Sequence, residues 1–117
     1  MIQRIVLIAL LMAAIDLPYL TLFAAGSFRP MIQAIQGSPL VFRYAAAIPV
    51  YLALAYLLTL ATSWRSAAAI GAATYAVYDF TNYASLKNYT LKFALQDTAW
   101  GSILFALTYL LHNKLGL

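Results

Sequence analysis

Four apolar stretches joined by very short connections constrain this chain more than anything else in it. They cover residues of about 5–25, 40–61, 66–86 and 93–111. A helix that crosses the hydrocarbon core of a bilayer needs roughly 20 predominantly apolar residues. Four spans and three connections therefore use nearly all 117 positions and leave no room for a soluble domain. The charge census agrees, because only 9% of residues are charged where a soluble domain carries about 25%. Seven cations and three anions cannot cover a water-facing surface of this size. The expected fold is all-α: an integral membrane four-helix bundle of antiparallel, short-loop hairpins, forming one domain.

The chemistry that remains is narrow. Without cysteine there are no disulfides, thiolate metal sites or thiol nucleophiles. The single histidine, His112, lies near the end of the fourth run and builds no His-rich metal site. No cofactor is expected. The net charge of +4 is spread over Arg4, Arg29, Arg43, Arg65, Lys87, Lys92 and Lys114, which stand singly at the ends of apolar runs. That is the placement of cations meeting lipid headgroups, and no basic stripe exists to bind nucleic acid. No lysine stands mid-span, where a buried retinal Schiff base would belong. Arg4 before an apolar run resembles a signal-peptide start, but the run continues past Asp16 to spanning length, so cleavage is not expected.

Local signals divide the chain further. Residues 26–39 read as a first loop, with Met31, Ile32 and Ile35 spaced for a short interfacial turn. Ser38 and Pro39 suit an N-cap and a first helical position, and Pro49 is expected to kink the second span. Thr62-Ser63-Trp64-Arg65 reads as a tight turn with an interfacial Trp, and residues 87–92 as another. On the third span, Ala67 with Gly71 and Ala68 with Ala72 make small-xxx-small steps, a packing surface suited to a neighbouring helix or a second copy of the chain. Basic residues divide three against four between the two ends, so orientation stays open.

All three acidic residues, Asp16, Asp79 and Asp97, fall inside apolar runs. A carboxylate at mid-span costs about 2.5–3.5 kcal/mol on insertion scales, so such residues usually face the bundle interior beside a partner. Chain direction puts all three in the same half of the membrane, near the loops that hold Arg29, Lys87 and Lys92. Helical spacing gives each acid companions: Met12, Tyr19 and Phe23 with Asp16; Tyr75, Tyr78, Asn82 and Leu86 with Asp79; Trp100, Gly101, Leu104 and Thr108 with Asp97. The candidate ligand- or ion-binding set is Asp16, Tyr75, Tyr78, Asp79, Asn82, Asp97 and Trp100. Any metal would fall to Asp79, Asn82 and Asp97, since oxygen ligands suit hard cations. The plainer alternative is that Tyr, Asn, Thr or Trp donors satisfy the acids and pin helices together, or that Lys87, Lys92 or Arg43 reaches inward to neutralise them.

Tyr75-x-x-Tyr78-Asp79-x-Thr81-Asn82-x-Ala84-x-Leu86, followed by Asp97-x-x-Trp100-Gly101, resembles a small predicted-membrane-protein family of bacteria and large DNA viruses, domain of unknown function 2177. The likeness extends to the early Asp16 and the four-span layout. Two positions depart from the pattern, with Tyr19 and Tyr89 where the family would place Trp. The resemblance implies a fold, candidate residues and a bacterial inner membrane or a viral or host membrane. It implies no activity.

Three functions stay open on the sequence. One is transport or conduction of a proton, cation or small solute through the Asp cluster, in a homo-oligomer. The second is a structural or accessory subunit of a larger membrane or virion assembly. The third, an intramembrane enzyme with paired Asp as acid and base, is least favoured, because no Cys, mid-span His or base-paired Ser accompanies the acids.

Overall fold

The computed structural model describes residues 1–116, and among them every regular element is helical. Helix α1 (Ile2–Tyr19) passes through a π turn (Leu20–Ala24) into α2 (Ala25–Gln36), forming one continuous 35-residue rod. A 3-10 turn (Tyr44–Ala46) leads into α3 (Ala47–Thr59). Helices α4 (Trp64–Ser85) and α5 (Leu91–Leu115) complete a four-helix bundle in which the α1–α2 rod counts as one member. The rod Ile2–Gln36 has both the length and the apolarity to cross a bilayer, whereas Tyr44–Thr59 is apolar but shorter. At 1.5 Å per residue, α4 and α5 reach about 33 and 37 Å, which is long enough, but they carry the polar residues.

The first helix does not stop where the sequence suggests. It runs through Asp16 and Pro18, then absorbs Gly26 and Pro30, so the expected loop at 26–39 is helical as far as Gln36. Tertiary burial overrides weak local propensity here. Phe28, Met31 and Ile35, at helical spacing, pack on Tyr89 and Phe93 at the α4–α5 connection. The Thr90 N–H and hydroxyl both point to the Met31 sulfur, and the Asn88 side chain donates to the Ala34 carbonyl at 3.1 Å. Pro18 cannot donate a backbone hydrogen bond, and the ladder widens into the π turn just after it. The Thr21 hydroxyl donates back to the Leu17 carbonyl at 2.9 Å. Gly37, at φ +75°, ends the rod in the left-handed region with its N–H on the Gln33 carbonyl.

The second helix starts later than expected, so Ser38 does not cap it and Pro39 does not open it. The Gln36 carboxamide donates to the Ser38 and Pro39 carbonyls and holds this stretch outside a helix. Pro49 consequently falls in the first turn of α3, where a missing N–H goes unnoticed, and it makes no mid-helix kink. The two tight connections lie close to the expected places but are shorter, with Trp64 and Arg65 already in α4 and Leu91 and Lys92 already in α5. Ser63 and Ser66 cap α4 reciprocally, and the Thr90 hydroxyl caps α5 through the Phe93 N–H.

Helices α4 and α5 make the most extensive pairing in the bundle, and small residues permit it. A Cβ on Gly71 would lie 2.2 Å from the Gly101 carbonyl oxygen and 2.8 Å from Phe105; one on Gly101 would lie 2.3 Å from the Tyr75 ring. The Ala67–Gly71 step is therefore spent inside the chain rather than offered to a second copy. Ile8, Met12, Leu58, Leu104 and Phe105 fill the core below this crossing.

Candidate functional site

Each acid reaches the interior because its helix places a polar residue on an otherwise apolar inward stripe. On α1, Ile8, Met12, Asp16 and Tyr19 are all buried, while Phe23, within the π turn, is mostly exposed. On α5, Gly101, Leu104 and Thr108 continue the stripe that Asp97 and Trp100 begin. On α4, Tyr75, Asp79 and Asn82 stand four and three residues apart and turn towards α5. Tyr78 does not join them. It is 57% exposed, because it projects about 100° around the helix from Asp79.

The three aspartates converge on one network drawn from four elements. Asp16 accepts from the Tyr51 hydroxyl of α3 at Oδ2 (2.5 Å) and from the Trp100 indole N–H of α5 at Oδ1 (2.7 Å). Asp97 accepts from the Tyr19 hydroxyl at 3.0 Å, and the Gln96 carboxamide donates to that same hydroxyl at 3.5 Å. Asp79 accepts from the Tyr89 hydroxyl at 2.9 Å and, more loosely, from the Thr98 hydroxyl at 3.4 Å. Thr98, the residue after Asp97, brings the Asp79 carboxyl beside this part of α5. The Tyr19 and Trp100 rings join the two halves, stacked with centroids 4.7 Å apart and planes 8° from parallel.

Among the described residues no cation takes part. The groups acting on the three carboxyls are phenols, an indole, a hydroxyl and one another, and neither Lys nor Arg is among them. The expected alternative in which Arg43, Lys87 or Lys92 neutralises them is not what the fold builds. Among the described residues no cluster of three acidic or imidazole side chains is arranged to hold a metal ion. Asn82 makes no hydrogen bond to any of the three carboxyls. Burial and the Asp79 carboxyl raise the Tyr89 phenol above its usual range. Tyr75 packs against Gly101 and, with Asp16, borders a cleft.

That cleft, of about 690 Å³, lies between α1, α3, the residues preceding α3 and Tyr75. Asp16 and Tyr51 line it at depth, Arg43 and Gln36 border it, and Leu20, Val41, Phe42 and Leu54 supply apolar wall. Tyr51, Tyr89, Thr98 and Gln96 were not in the candidate set. Tyr51 had no signal, since the second run carries no acid. Tyr89 stood out only as a departure from an expected Trp, and Tyr19 only as a helical neighbour of Asp16.

A separate polar contact closes the opposite end of the bundle. Arg4 Nη2 donates to His112 Nε2 at 3.0 Å, which leaves the ring proton on Nδ1, buried and without a partner. Burial, helped by the Arg4 charge, lowers the His112 pKa from the usual imidazole value.

The family comparison bears on this arrangement directly. Residues 1–112, which include every member of the network, match the family model described as predicted membrane protein (DUF2177). The chain belongs to that family. Membership puts the protein in a membrane, and with it the carboxyl network. No curated protein and no solved structure matches the chain.

Proposed function

We propose that the protein is a multi-pass membrane protein that takes a proton or a small positively charged solute into the carboxyl network and passes it across the bilayer. The observation that carries this reading is the convergence of three carboxyls from three helices with no basic side chain among their partners. Helix pinning alone needs one neutral polar group per interface, and Asn or Gln would serve without the cost of a titratable acid in the membrane. A cluster with room for positive charge, beside a cleft that Asp16 lines, is what a passing cation or proton requires. On this reading the chain works as a homo-oligomer or within a larger membrane assembly, because four helices alone supply few surfaces for two gates.

The test is proteoliposome flux of protons, monovalent cations and small organic cations through wild type, Asp79→Asn and Asp97→Asn. At least one probe should cross in wild type and be slowed in both variants. Equal flux in all three would sink the proposal.

The structural reading has one observation of its own. Both oxygens of Asp16 and both of Asp79 already have donors, as a rigid network would require. It expects Asp→Asn variants to lose thermal stability and partner binding, with flux at background throughout.

A further inference from the structure

The cleft between α1 and α3 contains one acid and one base that do not serve one another. Asp16 is engaged by Tyr51 and Trp100, and Arg43 lies on the exposed stretch before α3. Between them the wall is mostly apolar, formed by residues such as Leu20, Val41, Phe42 and Leu54. We propose that this cleft binds the headgroup of a zwitterionic aminophospholipid, with its primary ammonium on Asp16 and its phosphate on Arg43. The proposal rests on the part of the reading above in which the carboxyl network receives positive charge, and names a ligand that brings it to Asp16.

Charge complementarity selects the occupant. A simple cation would satisfy Asp16 and leave the guanidinium idle, and a simple anion would do the reverse. A headgroup carrying both charges serves both ends, and its acyl chains continue along the apolar wall towards the surrounding lipid. Guanidinium matches phosphate through paired N–H donors. The cleft volume of about 690 Å³ falls within the 300–1,000 Å³ common for ligand sites.

Asp16 also discriminates between ammonium types. Trp100 occupies Oδ1 and Tyr51 occupies Oδ2, but each carboxylate oxygen keeps a second lone pair. A primary ammonium donates N–H bonds to those positions, and a quaternary ammonium has none to give. Depth fits inward movement rather than resting in the headgroup layer. Trp100, the partner of Asp16, stands about 14 Å along α5 from its start at 1.5 Å per residue.

The experiment purifies the full chain in detergent and adds equal amounts of phosphatidylethanolamine, phosphatidylcholine and phosphatidylglycerol with identical acyl chains. Retained lipid is counted by native mass spectrometry. Wild type should retain phosphatidylethanolamine about tenfold over phosphatidylcholine, the scale of a charge-assisted hydrogen bond. Asp16→Asn should bring the two lipids level, and Arg43→Gln should lower retention of phosphatidylethanolamine. Arg43 is exposed and outside any helix, so its variant keeps the test open if Asp16→Asn does not fold. Equal retention of the two lipids by wild type, or unchanged phosphatidylethanolamine retention in Arg43→Gln, overturns the assignment. Displacement of the lipid by an equimolar amount of soluble phosphoethanolamine, which lacks the acyl chains, also overturns it, in favour of a free zwitterion. Headgroup preference without flux upholds this assignment and removes the transport reading alone; flux without preference removes this assignment alone.

Discussion

Replacing Gly71 by Ala should destabilise the bundle, whereas the same change at Gly26 should not. At Gly71 the new Cβ would lie 2.2 Å from the Gly101 carbonyl oxygen and 2.8 Å from two atoms of Phe105. The carbonyl belongs to the backbone of a long helix and cannot swing aside. To bring 2.2 Å to ordinary contact at 3.4 Å, α4 and α5 must separate locally by about 1 Å, in an interior packed too tightly to absorb it. Overpacking of this kind costs about 1–3 kcal/mol, and the higher helix propensity of Ala returns about 1 kcal/mol. The net expectation is a loss of about 1–2 kcal/mol, since the clash is with backbone and stands at the upper end. Gly26 has nothing within 4 Å of its would-be Cβ and sits inside a continuous helix, so Ala there should stabilise by about 0.5–1 kcal/mol. The assay is unfolding of wild type and both variants under identical conditions in mixed detergent, followed by circular dichroism. A Gly71→Ala protein as stable as Gly26→Ala would refute the close α4–α5 crossing. A separation of that size would also pull Trp100 away from Asp16, because Trp100 is the residue next to Gly101.

Further expectations follow from single contacts. Trp100→Phe keeps a ring against Tyr19 but removes the indole donor to Asp16, and should cost about 1.5–3 kcal/mol in the same unfolding assay. Double-mutant cycles should find Tyr19→Phe coupled to Trp100→Phe by about 0.5 kcal/mol or more, and Tyr51→Phe additive with Tyr89→Phe; the reverse pattern would mean that the stack does not join the two halves. His112 favours its neutral form when folded, so its contribution is complete above the unfolded imidazole value near 6.5 and is lost as pH falls through the lower folded value. Denaturation midpoints should therefore drop on acidification in wild type and drop less in His112→Gln. Pro49→Ala, in the first turn of α3, should change stability by no more than about 0.5 kcal/mol, and a large gain would restore the kink that the sequence suggested.

The acids were legible because their cost in an apolar run is large and sign-definite, so three of them at one depth already pointed inward. The α4–α5 turn and the Ser63 region were legible for a similar reason, since capping residues and a sharp end to apolarity coincide there. The α2 helix was not. Gly26, Pro30 and Gly37 are ordinary loop markers, and only burial of Phe28 and Met31 against Tyr89 and Phe93, more than fifty residues away, makes helix the better state. The late start of α3 depends likewise on a side-chain contact, Gln36 to the Ser38 and Pro39 carbonyls, which no local propensity encodes. Tyr78 shows the limit of face arguments. An offset of three from Tyr75 puts it at the edge of the stripe, and only the direction of approach of α5 decides that it faces outward.

The donors chosen for the acids say something further about what the network does. Four of the donors to carboxyl oxygens come from phenols or an indole, groups that satisfy a carboxylate without bringing positive charge to it. A lysine or arginine in their place would lock an ion pair and close the site to an incoming cation. Neutral donors lower the cost of burying the acid and still leave it able to take up positive charge. The division of labour follows from that: Asp97 is engaged by Tyr19 and Asp79 by Tyr89 and Thr98, while among these acids Asp16 alone lines the cleft. On the proposed transport reading, incoming charge meets Asp16 first, and the Trp100–Tyr19 stack ties the position of Asp16 to that of Asp97. The consequence is an ordering among the acids. Substitution of Asp16 should weaken entry of a ligand, and substitution of Asp97 should weaken what happens to it afterwards.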